Sequence, residues 1–149
     1  MIVTGDTNLF VYALDMRDAA KHAAAVTLVK ALQDDLAPVG LQVVGEFYRA
    51  IVRRLAFVPW DAAQAARNLL TAHGSFHADQ QTTERALAEA AAGRFSFWDA
   101  NLLCAAEAAG CTHILSEDMA DGARLGRLEV VRPFGPSGVS DRARTLLAL

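Results

Sequence analysis

The chain has little cysteine: Cys104 and Cys111 are the only two in 149 residues, they form no C-x-x-C pair, and neither sits among histidines at metal-ligand spacing. Both read as reduced thiols at or near a core. Long apolar runs are missing as well. No segment approaches the roughly 18 apolar residues of a membrane span, and "MIVTGDTNLF" carries neither a basic leader nor an apolar stretch before a small-residue cleavage site. These absences point to a cytoplasmic protein without membrane association. Positive charge is not in excess either. With a formal net charge of −3 and a pI near 5.7 there is no global field to drive general nucleic-acid binding, so any such contact must come from a local patch. No internal repeat, linker or low-complexity tract divides the chain.

What is present is a composition 53% hydrophobic and 21% charged, with mean hydropathy +0.20. This is too apolar for a disordered chain and ordinary for a compact α/β domain. Much of the apolar fraction is alanine, which favours helices. The length suits one domain that buries roughly two thirds of its unfolded surface.

"MIVTG" reads as a short strand that stops at Asp6, after which "DTNLFVYALD" offers an N-cap and helix-compatible residues. Ala25, Leu28, Val29 and Leu32 follow at i, i+3, i+4 and i+7, the stripe of an amphipathic helix. "LAPVG" reads as a short buried strand, "LQVVGEFYRAIVRRL" as a helix, and Pro59 with Asp61 starts another. "HGSFHADQ" is expected to be a polar break. Thr83, Ala86, Leu87, Ala90 and Ala91 then repeat the helical spacing up to Gly93, a fitting stop. A further helix opens within "FSFWDANLLCA", and "CTHILS" and "LEVVRPF" read as strands separated by a turn-and-helix stretch, "EDMADGARLG". Strands alternating with helices imply parallel pairing, right-handed crossovers and helices on both faces of the sheet. Sites in such sheets gather beyond the carboxyl ends of the strands.

Three acids fall where that geometry places a site: Asp6 after the first strand, Glu46 early in the helix after "LAPVG", and Asp118 after "CTHILS". Asp99 opens a helix beside them. Each has a structural explanation of its own. "SFWD" matches a capping box with Ser96 as N-cap and Asp99 at N3, Asp6 can cap its helix, Asp118 can complement a helix dipole, and Glu46 can be a solvated surface residue. Together, though, four carboxylates at one sheet edge raise one another's pKa and strain the fold unless a cation neutralises them. Oxygen-only ligands suit Mg²⁺ or Mn²⁺, which keep several waters and bind a few carboxylates plus substrate phosphate oxygens. That combination points to phosphodiester hydrolysis.

In this order, "DTNLFVYAL", "EFYRAI", "FSFWDANLLCAA" and "ILSEDMADG…LEVVRPF" resemble the PIN-domain ribonucleases, and among them the VapC-type toxins of bacterial toxin–antitoxin pairs. The resemblance covers Met1 to Phe134, so the expected division is a PIN domain over 1–134 and a tail over 135–149. It implies a three-layer α/β/α sandwich with a short central parallel sheet. It also implies an acidic site of Asp6, Glu46, Asp99 and Asp118, in which Asp6, Asp99 and Asp118 are the metal ligands and Glu46 acts through water or orients the nucleophile. Asn8 and Ser116 are candidates for supporting the ligands or contacting phosphate. The implied activity is Mg²⁺- or Mn²⁺-dependent endoribonuclease cleavage of tRNA, rRNA or mRNA, with products carrying a 5′-phosphate and a 3′-hydroxyl. The implied partners are RNA, a cognate antitoxin and a second copy of the chain in a homodimer.

Glu46, Arg49 and Arg53 lie at i, i+3 and i+7, so one helix face carries a carboxylate and two arginines. These arginines contact phosphate, or an antitoxin, or are merely solvated along with Arg54. Trp98 reads as a core anchor. Glu117 and Asp121 are reserve acids beside Asp118, and no histidine is assigned to chemistry. In the tail, Ser140 and Asp141 are placed to start a short helix. Two other readings compete with that of a ribonuclease. A phosphatase with an aspartyl nucleophile would need an acid two residues after Asp6, where Asn8 stands. An inert PIN fold that only binds antitoxin or RNA would not need all four acids.

Overall fold

The structure, a computed structural model, describes residues 1–149. The chain order is β1 (Val3–Gly5), α1 (Thr7–Tyr12), α2 (Ala19–Asp34), β2 (Val39–Gly40), α3 (Leu41–Arg54), α4 (Pro59–Ala72), β3 (Ser75–Phe76), α5 (Gln80–Ala91), α6 (Phe97–Ala108), β4 (His113–Leu115), β5 (Arg124–Leu125), β6 (Leu128–Val131), β7 (Phe134–Gly135), β8 (Gly138–Val139) and α7 (Asp141–Leu147). The main sheet has the order β1-β4-β6-β5. Its first three strands are parallel and β5 runs antiparallel along the edge. Helices flank this sheet, which makes the α/β layering expected of a PIN-like fold.

Local chemistry accounts for most element boundaries. Asp18, Asp79, Ser96 and Ser140 each accept a backbone N–H as N-caps of α2, α5, α6 and α7, and Pro59 opens α4. Gly93, at φ 74°, follows the end of α5, a left-handed conformation that glycine adopts without steric penalty. The helix α6 is apolar nearly all round, burying every residue from Ala100 to Ala106, and so runs through the molecule's interior.

Three local expectations are corrected. "HGSFHADQ" is not a plain break, since Ser75–Phe76 forms β3 and pairs in parallel with β2, off the main sheet. Two residues are too few to show alternation, and only the buried Phe76 marks the strand. "EDMADGARLG" holds no helix: it turns into β5, which joins β6 through the two-residue loop Gly126–Arg127 with Gly126 at φ 58°. Trp98 is 62% exposed rather than a core anchor. It shares a helix face with buried Leu102 and Ala105, but the first turn of α6 projects past the core, and its ring meets Phe97 edge-on at 5.0 Å.

The tail is part of the packed body. The hairpin β7–β8 and the helix α7 contribute Val139, Ala143 and Leu147 to the same hydrophobic cluster as the sheet. Phe134 meets Tyr12 edge-on at 5.7 Å. Both cysteines are buried and unbridged. No helix is long and apolar enough to cross a membrane.

Candidate active site

The parallel register of β1 and β4 pairs Gly5 with Leu115, so the residues just beyond their carboxyl ends, Asp6 and Ser116, stand side by side. The Asp6 N–H donates to the Leu115 carbonyl at 2.9 Å, and the Ser116 hydroxyl donates to Asp6 Oδ2 at 2.7 Å. The other oxygen, Oδ1, accepts the Thr7 N–H at 2.7 Å and caps α1. Asp6 is only 8% exposed. Burial pushes its carboxyl up to about 6, against the lowering effect of the Ser116 and Thr7 hydrogen bonds and with help from the charges of Asp118 and Glu46.

On α3 the apolar face of Val43, Val44, Phe47, Ala50 and Ile51 is buried. The opposite stripe of Gln42, Glu46, Arg49 and Arg53 is thereby turned outward, with steps of four, three and four residues. Glu46 Oε2 accepts the Thr7 hydroxyl at 2.7 Å, while Oε1 accepts the Gln42 amide at 2.9 Å. Gln42 also donates to the Trp98 carbonyl at 3.1 Å and accepts from the Asn101 amide at 3.0 Å, which ties α3 to α6. Arg54 donates to Asn8 Oδ1 at 2.9 Å, and the Asn8 amide donates to Asp118 Oδ2 at 2.7 Å. Asp118 is pushed upward by desolvation and by the charges of Glu117 and Asp99, with the Asn8 bond acting in the opposite direction.

These side chains line one open pocket of about 470 Å³: Asp6, Thr7, Asn8, Glu46, Arg49, Ala50, Arg53, Arg54, Asp99 and Asp118. All four acids read from the sequence are there, with Arg49, Arg53 and Asn8. Ser116 lies just beneath, reaching the pocket through Asp6. None of the four acids and none of the three arginines is in an ion pair. Ser96 caps α6 by accepting the Asp99 N–H at 3.2 Å, and the Asp99 carboxylate itself accepts no protein hydrogen bond. The capping box is thus half present, and it leaves the acid free for a ligand. The reserve acids point elsewhere. Glu117 accepts from Tyr12 and Lys21, and Asp121 pairs with Arg142.

Sequence reasoning missed Thr7, Gln42 and Asn101, which hold Glu46 and its support in place. Gln42 carried a signal, one turn before Glu46 on the polar stripe of α3. Asn101, an amide set in the apolar run "ANLLCAA", carried another, since an amide buried in such a helix needs partners.

No three or more of the His, Cys, Asp and Glu side chains gather closely enough to form a ready-made metal cage. The donor set is oxygen only, unpaired with cations, and spread around an open pocket. That suits Mg²⁺ or Mn²⁺, which use one or two carboxylates directly and keep waters for the rest, and it does not suit an ion that demands a closed protein shell.

No family model matches the chain, and no curated protein sequence matches it. Solved structures do. The Mycobacterium tuberculosis toxin VapC20, described as cleaving the sarcin–ricin loop, superposes with a TM-score of 0.60 at 21% identity, over 75% of this chain and 86% of that one. At that identity the likeness establishes the fold.

Proposed function

We propose that this chain is a metal-dependent endoribonuclease acting as the toxin of a toxin–antitoxin pair. The observation that carries the reading is the pocket in which Asp6, Glu46, Asp99 and Asp118 face Arg49, Arg53 and Arg54 with no ion pair among them. Such charges persist unpaired where ligands of both signs are to be bound: a divalent cation by the acids, a phosphate by the guanidiniums. The shared fold of a ribonuclease toxin supports the same assignment.

Asp6, Asp99 and Asp118 would hold Mg²⁺ or Mn²⁺, which supplies a water of lowered pKa and charge stabilisation at the scissile phosphate. Asp99, whose carboxylate accepts no protein hydrogen bond, is the acid able to turn toward a ligand at least cost. Asp6 is held rigidly by Ser116 and Thr7, so its position is set before anything binds. Glu46, fixed by Thr7 and Gln42, is the group placed to accept a proton or orient a water. Asn8 relays Arg54 to Asp118, holding that carboxylate at the pocket mouth. Arg49 and Arg53, exposed on α3, grip substrate phosphates. An antitoxin would silence the site by covering this pocket, and a homodimer is the proposed assembly in the cytoplasm.

The test is induction of the chain in bacterial cells, with growth followed and RNA ends sequenced. Growth arrest with new 5′-phosphorylated ends at defined positions, both abolished by Asp99→Asn, is expected. Growth arrest that persists in Asp99→Asn would overturn the catalytic reading and favour a binding-only PIN fold.

A further inference from the structure

We propose that the acidic pocket is the waist of a groove open on two sides. Its far arm, walled by Arg94, Phe95, Ser96 and Arg124, binds the RNA strand on the side of the scissile phosphate opposite Arg49, Arg53 and Arg54. The proposal rests on the nuclease reading above.

A second open cavity, of about 440 Å³, abuts the first and shares Asp99 and Asp118 with it. The two acids therefore stand between two open arms rather than at the bottom of a closed pit. A strand laid through the groove passes the acids with an internal phosphate, as an endonuclease requires, whereas a blind pocket would accept only a chain end. Each arm also needs cations, because phosphates flanking four carboxylates are repelled unless guanidiniums offset the charge.

The far arm has them. Arg94 pairs with Glu89 Oε2 at 3.0 Å through Nε, and its side chain is more than half exposed with neither terminal nitrogen donating to the protein, so those nitrogens are open to a phosphate. Arg124 pairs with Glu129, which has Arg142 as a second partner and so is not orphaned when Arg124 turns to a phosphate. The half-buried ring of Phe95 lines the same arm and offers a face on which an unpaired base can stack. Arginines with an aromatic ring and no groove-reading element fit single-stranded RNA, which splays its bases, over a duplex.

The experiment compares wild type, the double variant Arg94→Gln/Arg124→Gln, and Arg67→Gln, whose arginine lies on α4 outside both cavities. Binding of a labelled single-stranded RNA of about 16 nucleotides, near the upper site size of such grooves, is measured in EDTA across a range of salt. Each lost phosphate contact removes about 0.7 from the slope of log affinity against log salt for single strands, so the double variant should be shallower by about 1.4. Arg67→Gln should match wild type. Cleavage of RNAs trimmed on one or other side of the cut should show the double variant losing the benefit of nucleotides on one side only. An unchanged slope in the double variant, or an equal drop in Arg67→Gln, overturns the far arm while leaving the nuclease reading intact if wild type still cuts. Failure of wild type to bind or cut any RNA would fell both. Melting curves are recorded alongside and binding is measured well below each variant's transition, because Glu89, a mostly buried carboxylate, has Arg94 as its one ion-pair partner.

Discussion

Asp6 shows how one side chain can serve fold and site together. It caps α1, accepts from Ser116 and is buried at the pocket floor, and burial raises its carboxyl from 3.8 to about 6. Between those two values the folded chain holds a proton that the unfolded chain has lost, so stability falls as pH rises through that window. The residue's contribution is about 3 kcal/mol, the linkage equivalent of a shift of that size. In EDTA, the melting temperature of wild type relative to Asp6→Asn should therefore decline from pH 4 to pH 6.5. A bound divalent cation reverses the effect by favouring the ionised form. Added Mg²⁺ should raise the melting temperature clearly at pH 7.5 and little at pH 5, and the absence of any rise at pH 7.5 would count against a metal site here. Asp99 differs, with a carboxylate that accepts no protein hydrogen bond and joins no ion pair, so Asp99→Asn should change stability by less than about 0.5 kcal/mol. Asp6, Asp99 and Asp118 were legible in the sequence because each follows a strand or opens a helix, and Glu46 because it stands early in the helix after "LAPVG". Thr7 was not, because its role exists only once α1 and α3 are brought together.

At the scale of elements, the site depends on the close approach of β1 to α1. A Cβ on Gly5 would sit 2.8 Å from Leu9 Cδ2 and 3.1 Å from Phe10 Cε2, both in the core. Gly5→Ala should push α1, with Thr7 and Asn8, away from the sheet, costing about 1 to 3 kcal/mol in denaturant unfolding and weakening cleavage beyond what that instability explains. Unaltered stability would show that Leu9 and Phe10 have room to repack. The long helices were readable from their spacing, and α3 most clearly, since its apolar and polar stripes are separated. The strands β3 and β5 were not. Two-residue strands leave no periodicity, and their pairing partners, Val39–Gly40 and Leu128–Glu129, lie far along the chain or across a tight turn. "RLGRL" did hold a signal for β5, a glycine opening a two-residue loop between leucines.

At the scale of the molecule, the last 15 residues, 135–149, complete the core instead of trailing from it. They add Val139, Ala143 and Leu147, and Phe134 at their root packs on Tyr12 beneath the Lys21 ammonium, which lies 4.3 Å from the Tyr12 ring centre. Tyr12 and Lys21 both hold Glu117, the neighbour of Asp118. Deleting 135–149 should cost about 3 kcal/mol or more, from the burial of two large aliphatic side chains alone, and should loosen the loop that carries Asp118. A truncated chain that melts like the full one would refute that coupling. The α/β class followed from alternating strands and helices, whereas the split into a main sheet and the separate β2–β3 pair depends on three-dimensional packing that no local pattern encodes.

Four acids and three arginines, none in an ion pair, are proposed to form a metal-dependent RNA-cutting site. Its most direct test is incubation of end-labelled tRNA, ribosomal RNA fragments and messenger fragments with purified wild type and Asp99→Asn, in Mg²⁺, Mn²⁺ or EDTA. Discrete cuts by wild type in either metal are expected, with none in EDTA and none by Asp99→Asn. Cutting that survives EDTA, or that Asp99→Asn performs at the wild-type rate, would contradict this assignment.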